Sequence, residues 1–519
     1  MTQQHAVNEG LQVLPIPENI AIVGLNIESL ITALILRKAY HRDFVNIRIV
    51  NIANPTPHSN ISLVDKQLNQ LLTHYEVPEA QYLKTLKAVP IIATEFDEWS
   101  NTEFIIPKKH EADIFFHPLL QEISSLKRQH FDLRLDTNDF FFSHYLSAKK
   151  LQITSESFPF AIENGYQVDS NALHELLVEI AENNHIQIDR KDTFDFRLDT
   201  SGNIFSEDFG DGNDNEYIFD CSGFSQILTS KLPGYCQKQL PKIRQNNRCL
   251  SATLTNTHQD RKITCVAMKA GFLTICNTEQ ITEIQYFYSS QYTSDEDAKT
   301  ELLDYIQNKK HTNVASLNLY SSGQHLVAAP WQGNCVALGL TAGFNQLPVV
   351  SSIEHLMLSV TDFVDSIQID ANEDEIKAAF NARVTKRYEY CRAFGDLSLL
   401  LQSKLDFPYW LIPQDNTLLS EVSGAMLALW RKGEDLNALS VADIIGEQAW
   451  YALFCGLDHF PQSNLQKHVN ENAIEKEVYE MKRRFEGYSN NFTPINDSFD
   501  KPADQKTIEN SAVSEEDNV

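Results

Sequence analysis

Chemistry in this 519-residue chain has to start from a few small and polar residues at the ends of apolar runs. Gly24 ends one such run, residues 20–25. A helical pattern follows, with Ile27, Leu30, Ile31, Leu34 and Ile35 at 0, 3, 4, 7 and 8 spacing. A dinucleotide-binding turn places G-x-G-x-x-G at this kind of junction. The first glycine makes the turn, the second lets backbone N–H groups approach a pyrophosphate, and the third lets helix and strand pack closely. Here the three positions are Gly24, Asn26 and Ser29. Asn26 tolerates left-handed geometry, but its side chain points into the space a pyrophosphate needs. Glu28 adds negative charge to the first helical turn, which suits the helix dipole and competes with a phosphate. The second strand normally ends in an acid that accepts from ribose hydroxyls; here that position holds Asn51.

Other chemistries find little support. There is no H-E-x-x-H, no C-x-x-C and no closely spaced histidine set, so no metal site is expected. His110 and His117 are the nearest pair and are expected in a solvated segment. No G-x-S-x-G elbow and no G-x-x-x-x-G-K-[ST] loop occurs. Asp220-Cys221-Ser222-Gly223 reads as a strand-to-turn feature. The eight cysteines stand mostly inside apolar runs, the usage of reduced, buried thiols in a cytoplasmic protein. The formal net charge of −27 repels phosphate backbones and anionic lipid, which excludes nucleic acid and membrane as main partners. The first ten residues have no basic region followed by an apolar one, so no secretory signal is expected.

The elements that would position these residues can be read from periodicity. Residues 20–25, the helix after them and the strand 46–52 make a βαβ unit. Leu173, Leu176, Leu177 and Ile180 mark a helix that Asp169 or Ser170 caps. Residues 187–220 read as short strands, and 248–290 as an antiparallel meander with a turn at Asn277-Thr278-Glu279-Gln280. A short strand near 335 precedes a helix carrying His355, Leu356 and Leu358. The predicted fold class is α/β. A parallel-sheet nucleotide-binding module spans 15–370 and carries an inserted antiparallel substrate sheet at about 248–330. A helical region spans 371–486, and an acidic, solvated tail spans 487–519.

Four stretches together resemble the flavin-dependent tryptophan halogenase family. They are Ile-Val-Gly24 before a helix; Phe219-Asp220-Cys221-Ser222-Gly223-Phe224; Ala267-Met268-Lys269-Ala270-Gly271 with Tyr286-Phe287-Tyr288-Ser289-Ser290; and Pro330-Trp331-Gln332-Gly333-Asn334 running into Gly339-Leu340-Thr341-Ala342-Gly343-Phe344. The resemblance covers roughly residues 18–487 and implies a two-lobed, flavin monooxygenase-like fold. It also implies FAD as cofactor, with Gly339 and Gly343 among the cofactor-binding positions, an indole-like substrate and a flavin reductase as partner. In the family a lysine handles the oxidant and a glutamate assists the halogenation.

The same alignment puts other residues at the working positions. Phe96 and Trp99 set a register in which the lysine position holds Ile91, with Lys84 and Lys87 upstream. The glutamate position holds Val349 and the acid before it Gln346, while Ser351 and Ser352 fall in the halide-contacting region. The aromatic W-x-W-x-I-P signature becomes Phe272, Thr274 and Asn277. The expectation is therefore a degenerate member without catalytic residues, acting by binding a small aromatic ligand or a paralogous halogenase. The alternative is a divergent FAD-dependent halogenase or monooxygenase with replacement catalytic groups.

Overall fold

Strand β1 (Asn19–Val23) is buried on both faces, so it needs a neighbour on each edge and cover above and below. It pairs in parallel with β2 (Asn46–Ile52) on one side and with the Glu216–Asp220 strand on the other. The connecting helix α1 (Ile27–Ala39) packs its buried face against the Ser170–Asn183 and Ser352–Ile367 helices. The computed structural model describes residues 17–495, apart from 53–58, 109, 115, 129–135, 154, 156, 161, 163–164, 192–194, 207–215, 240–245, 256–259, 310–313, 403, 412–418, 440–443 and 462–469.

Six strands form the first sheet, in the order Trp331–Gln332, Cys335–Ala337, Glu216–Asp220, β1, β2, Gln187–Lys191. All its pairings are parallel except that of Trp331–Gln332. Chain order reverses about β1, so a crevice opens at the carboxyl ends of β1 and the Glu216–Asp220 strand, where open α/β sheets place their ligands. The second sheet has seven strands. Its core is the expected meander, Arg248–Thr255, Lys262–Met268, Gly271–Asn277 and Ile281–Tyr288. Val314–Ser321 extends one edge, and Ala93–Asp97 with Phe104–Pro107 the other. The sheet is thus not built from 248–330 alone: Ala93–Asp97 joins Lys262–Met268 in parallel. A three-stranded sheet, Ile61–Val64, Gly165–Asp169 and Val89–Ile91, bridges the two.

From Glu373 the described chain is mainly helical, as expected, over Glu373–Leu401, Glu421–Lys432, Glu447–Gly456 and Glu471–Ser489. Trp430 stacks on Phe454 at 4.7 Å, and Arg128 lies over the Trp430 ring. Two expectations fail here. The last helix runs past Gly487 to Ser489, and Phe492 is buried against Phe142 and Phe158, so the ordered chain extends beyond the predicted start of the tail. Residues 496–519 lie outside the described residues. His110 is buried in place of being solvated. Among the described residues no helix is long and apolar enough to cross a membrane, and no group of His, Cys, Asp or Glu could hold a metal ion.

The strand-to-turn reading of Asp220 has a clear physical basis. One carboxylate oxygen accepts from the Ser222 N–H at 3.0 Å and from its hydroxyl at 2.5 Å. The other accepts from the N–H groups of Leu228 and Thr229, at 3.1 and 2.8 Å, and from the Thr229 hydroxyl at 2.7 Å. Five donors converge on one fully buried carboxylate. Asp220→Asn turns an amide N–H₂ on donors whichever way it points. It is expected to cost about 3 kcal/mol, the loss of more than one charge-assisted bond in a buried site, measured as a shift in the urea unfolding midpoint.

Candidate functional site

The crevice at the end of β1 is shaped by one glycine turn and closed by side chains of the chain itself. Gly24 has φ +107, and a Cβ there would press on the Cys221 carbonyl, so only glycine makes this turn without strain. Asn26 caps α1. Its Oδ1 accepts from the Ser29 N–H at 2.9 Å, while Ser29 Oγ accepts from the Asn26 N–H at 2.9 Å. The Asn26 amide also donates to the Cys221 carbonyl at 2.7 Å, tying α1 to the neighbouring strand end. This is a capping box, which satisfies two helix-start donors from within the chain.

Glu28 completes the closure. It turns inward and is only 7% exposed. Its two carboxyl oxygens lie 3.0 and 3.1 Å from the Leu340 N–H, which donates to them. Leu340 belongs to the single turn Gly339–Thr341, where Gly339 has φ +56 and a Cβ would overlap the Glu28 carboxyl. Tyr388 fixes the same turn by donating its hydroxyl to the Gly339 carbonyl at 2.9 Å. Burial pushes the Glu28 carboxyl up to about 8, with the Leu340 N–H acting in the opposite direction.

Beyond this corner two cavities, each of about 390 Å³, lie on either side of the segment 347–351. The first is largely apolar, with Phe224, Phe287, Tyr320 and Phe344 in its walls; Asn26, Glu28 and His174 stand at its polar end. Leu347, Pro348, Val350 and Ser351 face it. Val349 faces the second cavity, with Asp65, Thr94, Lys108 and Glu354. A larger groove of about 530 Å³ lies elsewhere, lined by Glu95, Asp97, Glu98 and Glu103. Glu95 pairs with Lys262 and Glu98 with Lys404, and the groove shares no residue with the crevice.

The predicted site residues meet different fates. Asn26, Ser351 and Ser352 border the first cavity. Ser351 uses its hydroxyl to cap the following helix at the Glu354 N–H. Gly343 lies under the Tyr388 ring, where a Cβ would press on it. Asn51, one residue before the end of β2, pairs with Arg190 and does not border the cavity. Ile91 is 1% exposed and packs beside Gly165, which lines the second cavity, but does not line it itself. Lys87 is paired with Asp169 at 3.4 Å. Gln346 donates to the carbonyls of Asn246 and Ser322. Phe272 fills the core beside Trp99, and Thr274 reaches the first cavity. The sequence reading did not find Lys108 or Glu354 at the second cavity. Nothing in their local spacing marks them, because the fold brings them there from separate elements.

A histidine–cysteine contact also exists. His355 Nε2 lies 3.2 Å from Cys391 Sγ, and its ring stacks on Tyr388 at 4.4 Å. Burial, with help from Arg387, lowers the imidazole to about 3, and burial raises the thiol well above its usual range. Both shifts favour the neutral forms, which works against a thiolate at this contact.

Two outcomes follow from this geometry. Ile91→Lys buries an ammonium with no counter-ion built for it; about 3 kcal/mol or more of unfolding free energy is expected to disappear, with no chlorinated indole detectable by mass spectrometry in the presence of reduced flavin and halide. Glu28 has a folded pKa above its unfolded value, so its contribution is fully present below about 4.5 and is lost as pH rises through about 8. The stability of Glu28→Gln relative to the wild type, from urea unfolding between these two pH values, is therefore expected to rise with pH; a flat difference would mean that the carboxyl titrates normally.

Comparison with known proteins gives a single answer. The family profile described as Tryptophan halogenase matches residues 19–471. The tryptophan 6-halogenase SttH of Streptomyces toxytricini is 21% identical over 263 residues, 49% of this chain and 48% of that protein. The 7-chloro-L-tryptophan 6-halogenase KtzR of Kutzneria sp. (strain 744) is 22% identical over 312 residues, 58% of this chain and 59% of its own. These matches therefore span only about half of each relative. Among solved structures, a flavin-dependent halogenase from Xanthomonas campestris superposes with a TM-score of 0.78 at 16% identity, covering 92% of this chain and 97% of that one. A tryptophan halogenase from Shewanella frigidimarina gives 0.78 at 18% identity, covering 95% and 98%. With the profile spanning nearly the whole described fold and the switch-point crevice in place, the chain belongs to the tryptophan halogenase family.

Proposed function

We propose that this chain is a non-catalytic member of its family that acts by binding a small aromatic ligand in the first cavity. The observation that carries the reading is the self-capped start of α1. The Asn26 and Ser29 N–H groups that would approach a pyrophosphate already donate to the chain's own side chains. The residues at this turn therefore do not fit FAD, the cofactor implied by the flavin dependence of the structural relatives. The rest of the site supports the same reading. The family's lysine and glutamate positions hold Ile91 and Val349, neither of which can donate, accept or move a proton. The cavity volume lies at the low end for ligand pockets, and its largely apolar walls carry four aromatic rings, which suits one planar ring system. A ligand-loaded protein of this kind would report to a partner such as a paralogous halogenase, and it needs no flavin reductase.

The test combines two measurements on the purified protein. After incubation with FAD and gel filtration it is expected to be colourless, and with a flavin reductase, NADH and bromide it is expected to give no brominated indole. Indole itself is expected to raise the melting temperature, and Val350→Trp, which fills the cavity, to abolish that rise. A yellow protein that brominates indole overturns the proposal.

A further inference from the structure

We infer that Glu28 fills, from within the chain, the corner where a dinucleotide fold holds its pyrophosphate, and that this residue, more than the two missing glycines, sets the ligand class of the cavity. The inference rests on the reading that FAD is not the resident cofactor, and names the residue responsible.

An acid in the first turn of a helix is commonplace and normally faces water, where it complements the helix dipole without losing its hydration. Glu28 instead turns inward across the crevice, and burial of a carboxyl is costly unless a specific donor compensates. The compensation comes from the Leu340 N–H, almost equidistant from both oxygens, on a turn that approaches closely only because Gly339 lacks a Cβ. The carboxyl thus occupies the gap between the start of α1 and the Gly339–Thr341 turn. A phosphate entering this gap would meet an acidic oxygen in its own volume. It would also find the N–H groups of residues 26, 29 and 340 already bonded. Restoring the glycines at 26 and 29 would free two of these donors and leave the obstruction standing. The cavity beyond Glu28 stays open, so ligands that carry no phosphate are unaffected. Selection against phosphate and acceptance of a neutral aromatic then have one cause.

The experiment compares four variants with the wild type: Asn26→Gly/Ser29→Gly, Glu28→Ala, Glu28→Gln, and the triple Asn26→Gly/Glu28→Ala/Ser29→Gly. ADP and FAD are the probes, read by calorimetric titration and by the shift in melting temperature. The glycine pair and Glu28→Gln, which keeps the shape of the plug, are expected to behave as the wild type. The triple variant is expected to bind at least about tenfold more tightly than the glycine pair, a gain of about 1.4 kcal/mol, and to be stabilised by the ligand. Equal binding by the pair and the triple variant, or no binding by a triple variant that unfolds cooperatively, overturns the inference. Should the triple variant fail to fold, Glu28→Ala against Glu28→Gln decides in the same way, a tenfold preference for ADP in the alanine variant supporting the inference and equal binding overturning it. Binding of FAD by the wild type would instead sink the proposed function, leaving the ratio between variants to judge Glu28.

Discussion

A helix begins with N–H groups that have no partner inside the helix, and something must accept from them. In this fold that requirement is concentrated where β1 turns into α1 and the Gly339–Thr341 turn comes alongside. In a dinucleotide-binding protein the ligand supplies the acceptors. Here the chain supplies its own: Asn26 and Ser29 cap each other, and Glu28 reaches the Leu340 N–H. Those bonds draw the acceptors for the Asn26, Ser29 and Leu340 N–H groups from within the chain.

The parts that hold the crevice open are separate from those that would act in it. Asp220 gathers five donors at the strand end, Gly24 makes the turn, and Tyr388 clamps Gly339. None of these depends on a lysine at position 91 or an acid at 349. Ile91 is buried and Val349 packs against the apolar core, and neither brings a polar group that the fold has to satisfy. A fold of this kind and the chemistry it hosts rest on different residues.

Much of the architecture was legible in the sequence. The βαβ opening, the four-stranded meander, the cap at Asp169 and the helical C-terminal region all follow from periodicity and local capping, which are short-range signals. What went wrong was long-range. The Ala93–Asp97 strand enters the large sheet by pairing in parallel with Lys262–Met268, more than 160 positions later, and no pattern within five residues names that partner. Residues 487–492 look polar enough for a tail, yet Phe492 is buried against aromatic rings from the 142–158 region. His110 is buried by elements that its own neighbourhood does not reveal.

The sequence by itself determined the family and the fold class, because motif spacing and residue type are properties of the chain read in order. It also placed Glu28 in the first turn of α1, where the charge would oppose a phosphate. Only the tertiary structure decided where that carboxyl goes. Its partner, the Leu340 N–H, lies 312 residues away, and the two meet because a strand end, a helix start and a glycine turn converge on one point. A side chain's rotamer, burial and hydrogen-bond partner depend on that convergence, and the linear pattern carries no record of it.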